Sequence, residues 1–321
     1  MSRTTIGVSP CLTFAENFIV TLLINDYQHG VLGEIQAGFR KDHSTIDHIF
    51  TLFSMIQRHL LRNKKLYVAF RDFRKAFDVI SHCKLWPILN KTGIKGKMLQ
   101  TIQSMYRIVK ARIRNGNNVT EAFICQKGLK QGEITSPLLF SLFINELARD
   151  IIKNGRHGIQ LLPDMLELFI LLFADDIVLL SDTIVGLQNQ SDVLVQSCVR
   201  LDLHINLEKS NTVIFRNGGY ISKKEKRFHD GQDITVVNSY KYVGFFLTTR
   251  MTFSYSLNEM ACKARKGVTD IFRTPWRAPL GDLSTTFFKM FDALIKLMFL
   301  YGWMVTSLLK ENNCMVMQSL K

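Results

Sequence analysis

The 321-residue sequence has little that would cross-link it or place it in a membrane. Its six cysteines are widely spaced and form no CxxC pair, which argues against a disulfide framework or a zinc site and is typical of an intracellular protein. The N-terminus lacks the basic-then-apolar pattern of a signal peptide. The longest apolar segment, residues 287–309, is interrupted by Lys289, Asp292 and Lys296, so we predict one or two core helices there rather than a membrane span.

Acidic residues are also scarce relative to basic ones. There are 27 Asp and Glu against 41 Lys and Arg, a net charge of +14, and the isoelectric point is about 9.6. Such an excess favours a polyanionic partner, with nucleic acid first and an anionic membrane second. The hydrophobic content of 47% predicts a large core, and the length allows two or three domains.

Two adjacent carboxylates, Asp175 and Asp176, lie between the apolar runs of residues 168–174 and 177–180. Such runs predict buried strands, and Asp suits the tight turn between them. Two like charges at the rim of a core are costly, and a divalent cation would offset that cost. The stretch is therefore interpreted as half of a metal site, although a plain surface turn is the alternative that this stretch alone leaves open.

A further carboxylate is expected from the end of another strand. Residues 66–70 are aromatic and β-branched, predict a strand, and lead directly to Asp72. Asp72 is therefore the candidate for the missing ligand. Asp78 and Ser81 are interpreted as caps of the helix that contains Leu85, Trp86 and Leu89.

Two loops that contain glycine precede predicted helices. Residues 36–45 are basic and polar, and Arg40 in them could hold a phosphate; an exposed loop is the alternative. In residues 128–137, Ser136 is a suitable N-cap and Pro137 a suitable first helical residue, while the glycines let a ligand approach the backbone. An ordinary capped loop is the alternative here. Further along, residues 183–203 predict an amphipathic helix, and residues 240–247 a strand that contains Gly244.

Taken in order, these segments resemble the reverse transcriptases of non-LTR retrotransposons, the long interspersed elements. The matching segments extend over about residues 36–247 and are Gln36-Ala37-Gly38-Phe39-Arg40 with Ser44-Thr45, Asp72-Phe73-Arg74-Lys75-Ala76-Phe77-Asp78, Gly128 to Gln131-Gly132 with Ser136-Pro137-Leu138-Leu139-Phe140, Phe173-Ala174-Asp175-Asp176, Asn206 with Lys209, and Tyr242-Val243-Gly244. Each segment alone is weak evidence, and the six in this order are specific.

The resemblance implies an α+β right-hand polymerase with an antiparallel palm sheet. Residues 1–65 would form part of the fingers, residues 66–250 the palm with a fingers insertion at about 90–125, and residues 251–321 an incomplete helical thumb. The implied function is RNA-directed DNA polymerase, with an RNA template, a DNA primer and dNTPs as partners, no membrane, and an intracellular location in the nucleus or the cytoplasm.

The resemblance also assigns site residues. Asp72, Asp175 and Asp176 would be the catalytic carboxylates and would hold two Mg²⁺ ions, with Mn²⁺ as a possible replacement. Phe77 would exclude a ribose 2′-hydroxyl by steric clash. The remaining implied contacts to dNTP or template are Arg40, Gln131, Gly132 and Lys209.

Three features depart from the family pattern. Arg71 stands where an apolar residue is usual, and strand alternation points it away from Asp72 into the packed face of the sheet, where an unpaired guanidinium would be costly. Ser210 stands where Thr is usual. We also expect that the family's upstream endonuclease and the first part of the fingers are absent and that the thumb is incomplete. These departures motivate the alternative expectation of an inactive nucleic-acid-binding remnant, from a fragment or decaying copy of an element.

Overall fold

The computed structural model describes residues 3–5, 35–40, 42–115, 117–155, 158–162, 166–221, 228–229, 233–252, 254–273, 288–296, 300–301 and 307. Trp276 and Trp303, which the sequence predicts to be core residues, lie outside these residues. In the part of the chain that the structure describes, no helix combines the length and the apolar character needed to cross a membrane.

Groups of helices and groups of short strands follow one another along the chain. The helices are α1 (Thr45–Leu61), α2 (Ala76–Val79), α3 (His82–Lys91), α4 (Gly96–Tyr106), α5 (Thr135–Asn154), α6 (Ile184–Leu201) and α7 (Ser254–Arg273), with a π-helical turn at Asp292–Lys296. The strands are β1 (Arg3–Thr5), β2 (Leu66–Arg71), β3 (Val109–Asn115), β4 (Asn118–Val119), β5 (Phe123–Cys125), β6 (Ile159–Leu162), β7 (Leu166–Leu168), β8 (Ile170–Phe173), β9 (Asp176–Ser181), β10 (Asn211–Phe215), β11 (Phe228–His229), β12 (Asp233–Ile234), β13 (Val236–Val237), β14 (Ser239–Tyr242) and β15 (Phe245–Thr248).

The chain divides into two compact units. The first contains Met1–Ser44, Tyr67–Thr212 and Ser222–Thr235, and the second contains Thr45–Leu66, Val213–Ile221 and Val236–Lys321. These bounds do not follow the expected division at residues 65 and 250, and the assignment of fingers, palm and thumb stays a prediction.

The first unit is built on three neighbouring strands of one sheet, in the order β2-β9-β8. The pairs β2–β9 and β8–β9 are antiparallel. Every residue of β2 is buried, as is β9 after its first residue, so these strands are buried on both faces. The sequence therefore shows continuous apolar runs here instead of alternation.

Two helices pack against this sheet and against each other. Helix α5 contacts β8 and helix α6 contacts β9. Thirteen of the twenty residues of α5 are buried, including Phe140 and Ile144. Helix α5 starts at Thr135, so Ser136 and Pro137 lie in its first turn instead of at its N-cap and first position, and the predicted boundary is wrong by two residues.

The second unit contains α1, the β14–β15 hairpin and α7. The expected single strand over residues 240–247 is wrong: β14 and β15 pair as a hairpin that turns at Val243 and Gly244. Gly244 has φ +90°, the left-handed region that glycine enters without a side-chain penalty. The buried His48 of α1 lies 3.1 Å from the Tyr242 hydroxyl, measured from Nδ1, and ties the hairpin to the helix.

Candidate active site

The site is built at the end of the antiparallel pair β2–β9. The last paired residues of β2 and β9 are Arg71 and Ile177. The next residues on each side, Asp72 and Asp176, therefore lie opposite each other where the two strands end. Opposed residues in such a pair have Cα atoms about 5 Å apart and side chains on the same side. The strand register thus brings together two carboxylates that are far apart in sequence.

The Asp pair lies on the β8–β9 hairpin, as predicted. Phe173 pairs with Asp176, and Ala174 and Asp175 form the turn between them. Ala174 has φ +54°, which costs a residue with a Cβ roughly 1–2 kcal/mol. This strained turn carries Asp175 to the rim of the apolar core.

The environment opposes ionisation of both hairpin carboxyls. Burial, followed by the charges of Asp175 and Asp72, raises the pKa of Asp176 to about 6. Burial is also the main cause that raises the pKa of Asp175, with the charge of Asp72 adding to it. Lys209 acts in the opposite direction on both. Three carboxyls therefore interact electrostatically at one place, and a cation there would relieve their repulsion.

Asp72 is held by the segment that follows α6. The Asn206 side-chain amide donates to Asp72 Oδ2 over 3.2 Å, and Lys209 Nζ lies 3.4 Å from the same oxygen. The backbone N–H of Asp72 donates to Ser210 Oγ over 3.2 Å, and its carbonyl accepts from the Asn206 N–H over 2.8 Å. These bonds fix the buried Asp72, which is 8% exposed, while the Lys209 side chain is mostly exposed.

Asn206 and Ser210 were not predicted as site residues, although both stand in a segment noted for its resemblance to the family. Their roles depend on an isolated antiparallel bridge between Phe73 and Ile205, which aligns the two chain segments. A contact over more than 130 residues has no local pattern in the sequence. The available signal was the order of Asn206, Lys209 and Ser210 itself.

Phe77 lies between two other aromatic rings. It stacks on Phe140 of α5 with centroids 4.4 Å apart, and it lies in an edge-to-face arrangement with Phe39, with ring centroids 6.3 Å apart. Phe77 is half-buried, so part of its ring stays available to a ligand. The stacking fixes the ring in one place, which a residue that selects by steric exclusion needs.

The Gln131–Gly132 loop is attached to the short helix α2, which carries Phe77. Leu129 N–H donates to the Phe77 carbonyl over 2.7 Å, and Gln131 Nε2 donates to Asp78 Oδ1 over 2.9 Å. The expected cap by Asp78 is therefore wrong. Ser81 stands at the N-cap of α3, but its side chain makes no cap hydrogen bond.

Below this loop, Lys130 and Glu133 form a buried ion pair with Nζ 2.6 Å from Oε1. Gln131 and Gly132 between them are exposed, and Gly132 has φ +90° with open space at its Cβ position. The buried ion pair therefore anchors the loop on both sides, while Gln131 and Gly132, the two predicted site residues, are accessible to solvent.

Arg40 belongs to a segment that runs beside the hairpin. Its Nη1 donates to the Gln36 carbonyl over 3.2 Å, and the side chain is half-buried. Gln36 in turn forms a parallel bridge with Leu172 of β8. The structure thus places Arg40 on a segment bonded to the strand that leads to Asp175.

The sequence profile described as "Reverse transcriptase (RNA-dependent DNA polymerase)" matches residues 3–247, which is most of the chain. The chain belongs to the reverse transcriptase family. It is 27% identical over 225 residues to a retrovirus-related Pol polyprotein from the type-1 retrotransposable element R2 of Nasonia vitripennis, covering 68% of this chain and 22% of that protein.

A second relative is the RNA-directed DNA polymerase from the mobile element jockey of Drosophila funebris, 24% identical over 243 residues, which are 74% of this chain and 25% of that protein. The relationship to reverse transcriptases of non-LTR retrotransposons is thereby confirmed. This chain spans about a quarter of the length of both relatives.

Among solved structures, the fold is similar to telomerase from Candida tropicalis in complex with the TWJ fragment of telomeric RNA. The TM-score is 0.52 at 12% identity, over 92% of this chain and 47% of that one. The expected α+β right-hand polymerase fold is thereby confirmed.

Within this reverse transcriptase, the buried Arg71 is accommodated by backbone carbonyls. It is 1% exposed, and its Nη1 donates to the carbonyls of Phe70 and Asn211 over 3.2 and 3.3 Å. The predicted direction into the packed face of the sheet is consistent with this burial. The expected cost of an unpaired guanidinium is therefore reduced by these hydrogen bonds.

The donor set fits a magnesium site. It consists of carboxylate oxygens, the ligands that hard cations take, and the raised pKa of Asp176 marks a place where negative charge needs a partner. Among the described residues, no three His, Cys, Asp or Glu side chains converge tightly enough to enclose one ion. Mg²⁺ does not require such an enclosure, because it commonly takes one or two carboxylates and completes its shell with water and substrate phosphates.

Proposed function

We propose that this chain is an RNA-directed DNA polymerase that adds deoxynucleotides to the 3′-hydroxyl of a DNA primer on an RNA template. The proposal rests mainly on the proximity of three carboxyl groups, those of Asp72, Asp175 and Asp176, at one end of the sheet. Membership of the reverse transcriptase family and the net charge of +14 support nucleic acid as the partner.

Asp72, Asp175 and Asp176 would hold two Mg²⁺ ions, with Mn²⁺ as a possible replacement. When bound, the ions would activate the primer hydroxyl and stabilise the charge on the leaving pyrophosphate. Asn206 holds Asp72 Oδ2 in place over 3.2 Å, so the carboxylate is oriented before substrate binds.

The nucleotide would lie between the hairpin and the loop after β5. Phe77, fixed by its stacking on Phe140, would meet the sugar and disfavour a 2′-hydroxyl. Gln131 and Gly132 would contact the nucleotide or the template from the other side. Arg40 and Lys209 would neutralise triphosphate oxygens, and Lys209 would then leave its ion pair with Asp72, which is 3.4 Å long.

The test is primer extension on poly(rA)/oligo(dT) with Mg²⁺ and with Mn²⁺. We expect dTMP incorporation by the wild-type chain and none above background by Asp175→Ala. Incorporation that survives in Asp175→Ala, or its absence in both proteins, would contradict the proposal.

One observation favours a second candidate, an inactive nucleic-acid-binding remnant. Arg71 is buried directly beside Asp72, where the family usually has an apolar residue. In that case the chain would bind primer–template with an affinity that falls steeply with salt and would not extend the primer. Arg71→Val separates the two candidates, because restored extension would identify Arg71 as the inactivating change.

A further inference from the structure

The segment Ile35–Gly38 forms an additional edge on the catalytic hairpin. The strand order of the sheet ends at β8, and the Leu172 N–H of β8 donates to the Ile35 carbonyl over 2.8 Å. The Ala37 N–H donates to the Leu172 carbonyl over 3.0 Å, and Gln36 faces Leu172 in a parallel bridge. Two residues after Leu172, the chain enters the turn that carries Asp175.

Gly38 lies directly against this turn. A Cβ added to Gly38 would lie 2.2 Å from Ala174 N, 3.0 Å from Ala174 Cα and 3.1 Å from Phe173 C. All three are backbone atoms, so no side-chain rotation can relieve the contact. Any residue other than glycine therefore requires either this segment or the turn to move.

The segment is also held internally. The Gln36 side chain is completely buried, and its Oε1 accepts from the Gly38 N–H over 2.9 Å. This bond fixes the backbone of Gly38 at the point of contact. Ala174 on the other side has φ +54°, a conformation that an alanine keeps only when its surroundings impose it.

We infer that Gln36, Ala37 and Gly38 are positioning residues that hold the Ala174–Asp175 turn in its strained conformation, so that Asp175 and Asp176 face Asp72. None of the three needs to touch substrate. The inference rests on the proposed function and goes beyond it, because it assigns the geometry of the carboxylates to a segment more than 130 residues away. A displacement of about 1 Å at a catalytic group can lower the rate about 100-fold. We therefore expect substitutions in this segment to lower kcat.

The first experiment compares Gly38→Ala with Gly96→Ala. Gly96 has φ +55° and nothing within 4 Å of its Cβ position, so the control introduces the same methyl group, and even the cost of a left-handed alanine, without a clash at the hairpin. For Gly38→Ala we expect kcat for primer extension to fall about 100-fold. We expect the Kd for primer–template to change less than about threefold in both variants, since neither alters a phosphate contact. A kcat for Gly38→Ala within threefold of wild type would overturn the inference.

The second experiment adds Ala174→Gly to Gly38→Ala. Glycine at position 174 widens the backbone conformations open to the turn, so the turn can yield to the new methyl group. We expect the double variant to recover at least about tenfold of the lost kcat, together with part of any Tm that Gly38→Ala loses. If the double variant regains Tm but not kcat, Gly38 contributes to stability and not to the position of the carboxylates, and the inference is overturned.

The third experiment uses Gln36→Leu, which tests the same inference if Gly38→Ala does not fold. It removes the acceptor of the Gly38 N–H without introducing a clash. We expect faster amide hydrogen exchange in the 170–181 hairpin of the metal-free protein, together with a lower kcat. Unchanged exchange in the hairpin would overturn the inference.

The exchange measurement also separates the inference from the proposed function. Absence of Asp175-dependent extension in the wild-type chain would remove the polymerase proposal alone. Faster exchange of the hairpin in Gly38→Ala or Gln36→Leu, but not in Gly96→Ala, would still support the positioning role. Weaker binding of Mn²⁺ alone, followed by electron paramagnetic resonance, in the same two variants would support it as well. Equal exchange and equal Mn²⁺ binding in all variants would overturn it even if the wild-type chain extends primers.

Discussion

The acidic end of the sheet and the Gln131–Gly132 loop belong to the same compact unit but are held in different ways. Asp72 and the Asp pair continue strands whose residues are almost all buried. Gln131 is exposed and is held through its side chain by one hydrogen bond to the exposed Asp78, 2.9 Å long. The comparison indicates that the carboxylates are positioned by the core, whereas the loop can adjust to its ligand.

The largest expected effect is on the carboxylate side. Asp72→Asn and Asp175→Asn should each lower kcat for primer extension about 10³-fold or more. The double variant should lose little more than either single one, because the two act as a unit. Asp192→Asn, an exposed carboxyl on α6, is the matched control and should retain wild-type activity. Single losses that are small and simply multiply in the double variant would show that the two carboxyls do not share one site.

The next effect concerns the stability of the metal-free protein. The pKa of Asp176 is raised to about 6, so between about pH 4 and pH 6 the native state binds more protons than the unfolded state. This contribution to stability is therefore present at low pH and is lost as the pH rises through 6. Asp176→Asn removes the ionisable group and, with it, the cost of burying its charge, so the variant should be more stable than wild type at pH 7.5 by about 1–2 kcal/mol, after allowance for partial exposure.

Urea unfolding in the presence of a chelator measures this difference. The gain from Asp176→Asn should disappear near pH 4, and Asp192→Asn should show no comparable dependence on pH. A lower stability of Asp176→Asn at pH 7.5 would mean that the ionised carboxylate is favourable where it lies.

A smaller effect is expected between the two regions, at Phe77. Phe77→Ala should raise the kcat/KM for ribonucleotides relative to deoxynucleotides by about 10- to 100-fold, since the steric exclusion is lost. The exposed Phe288 is the control, and Phe288→Ala should leave the ratio unchanged. A ratio unaffected by Phe77→Ala would place the sugar elsewhere.

The smallest effect is expected on the loop side. Asp78→Ala removes the acceptor of Gln131 Nε2, and the KM for dNTP should rise about threefold to tenfold, which corresponds to the loss of one hydrogen bond. Asp78→Asn keeps an acceptor oxygen and should stay near wild type. If Asp78→Ala changes kcat as strongly as Asp72→Asn, the loop is not the adjustable side of the site.

The sequence predicts those features of the site that are determined by residues close together along the chain. The hairpin around Asp175 and the strand before Asp72 follow from apolar runs and turn residues, which act over a few neighbours. Two other features depend on strand order and register, which local patterns do not encode. They are the hydrogen bond from Asn206 to Asp72 and the contact of Gly38 with Ala174. Asp78 is instructive because its position before a helix predicts a cap, whereas its carboxylate accepts a hydrogen bond from Gln131, 53 residues away.

The most direct measurement is anomalous diffraction from crystals grown with primer–template and soaked in Mn²⁺. The account predicts Mn²⁺ peaks bounded by the carboxylates of both Asp72 and Asp175, with Lys209 released from its ion pair with Asp72. Peaks that contact only one of the two carboxylates, or none, with Lys209 still paired to Asp72, would contradict it.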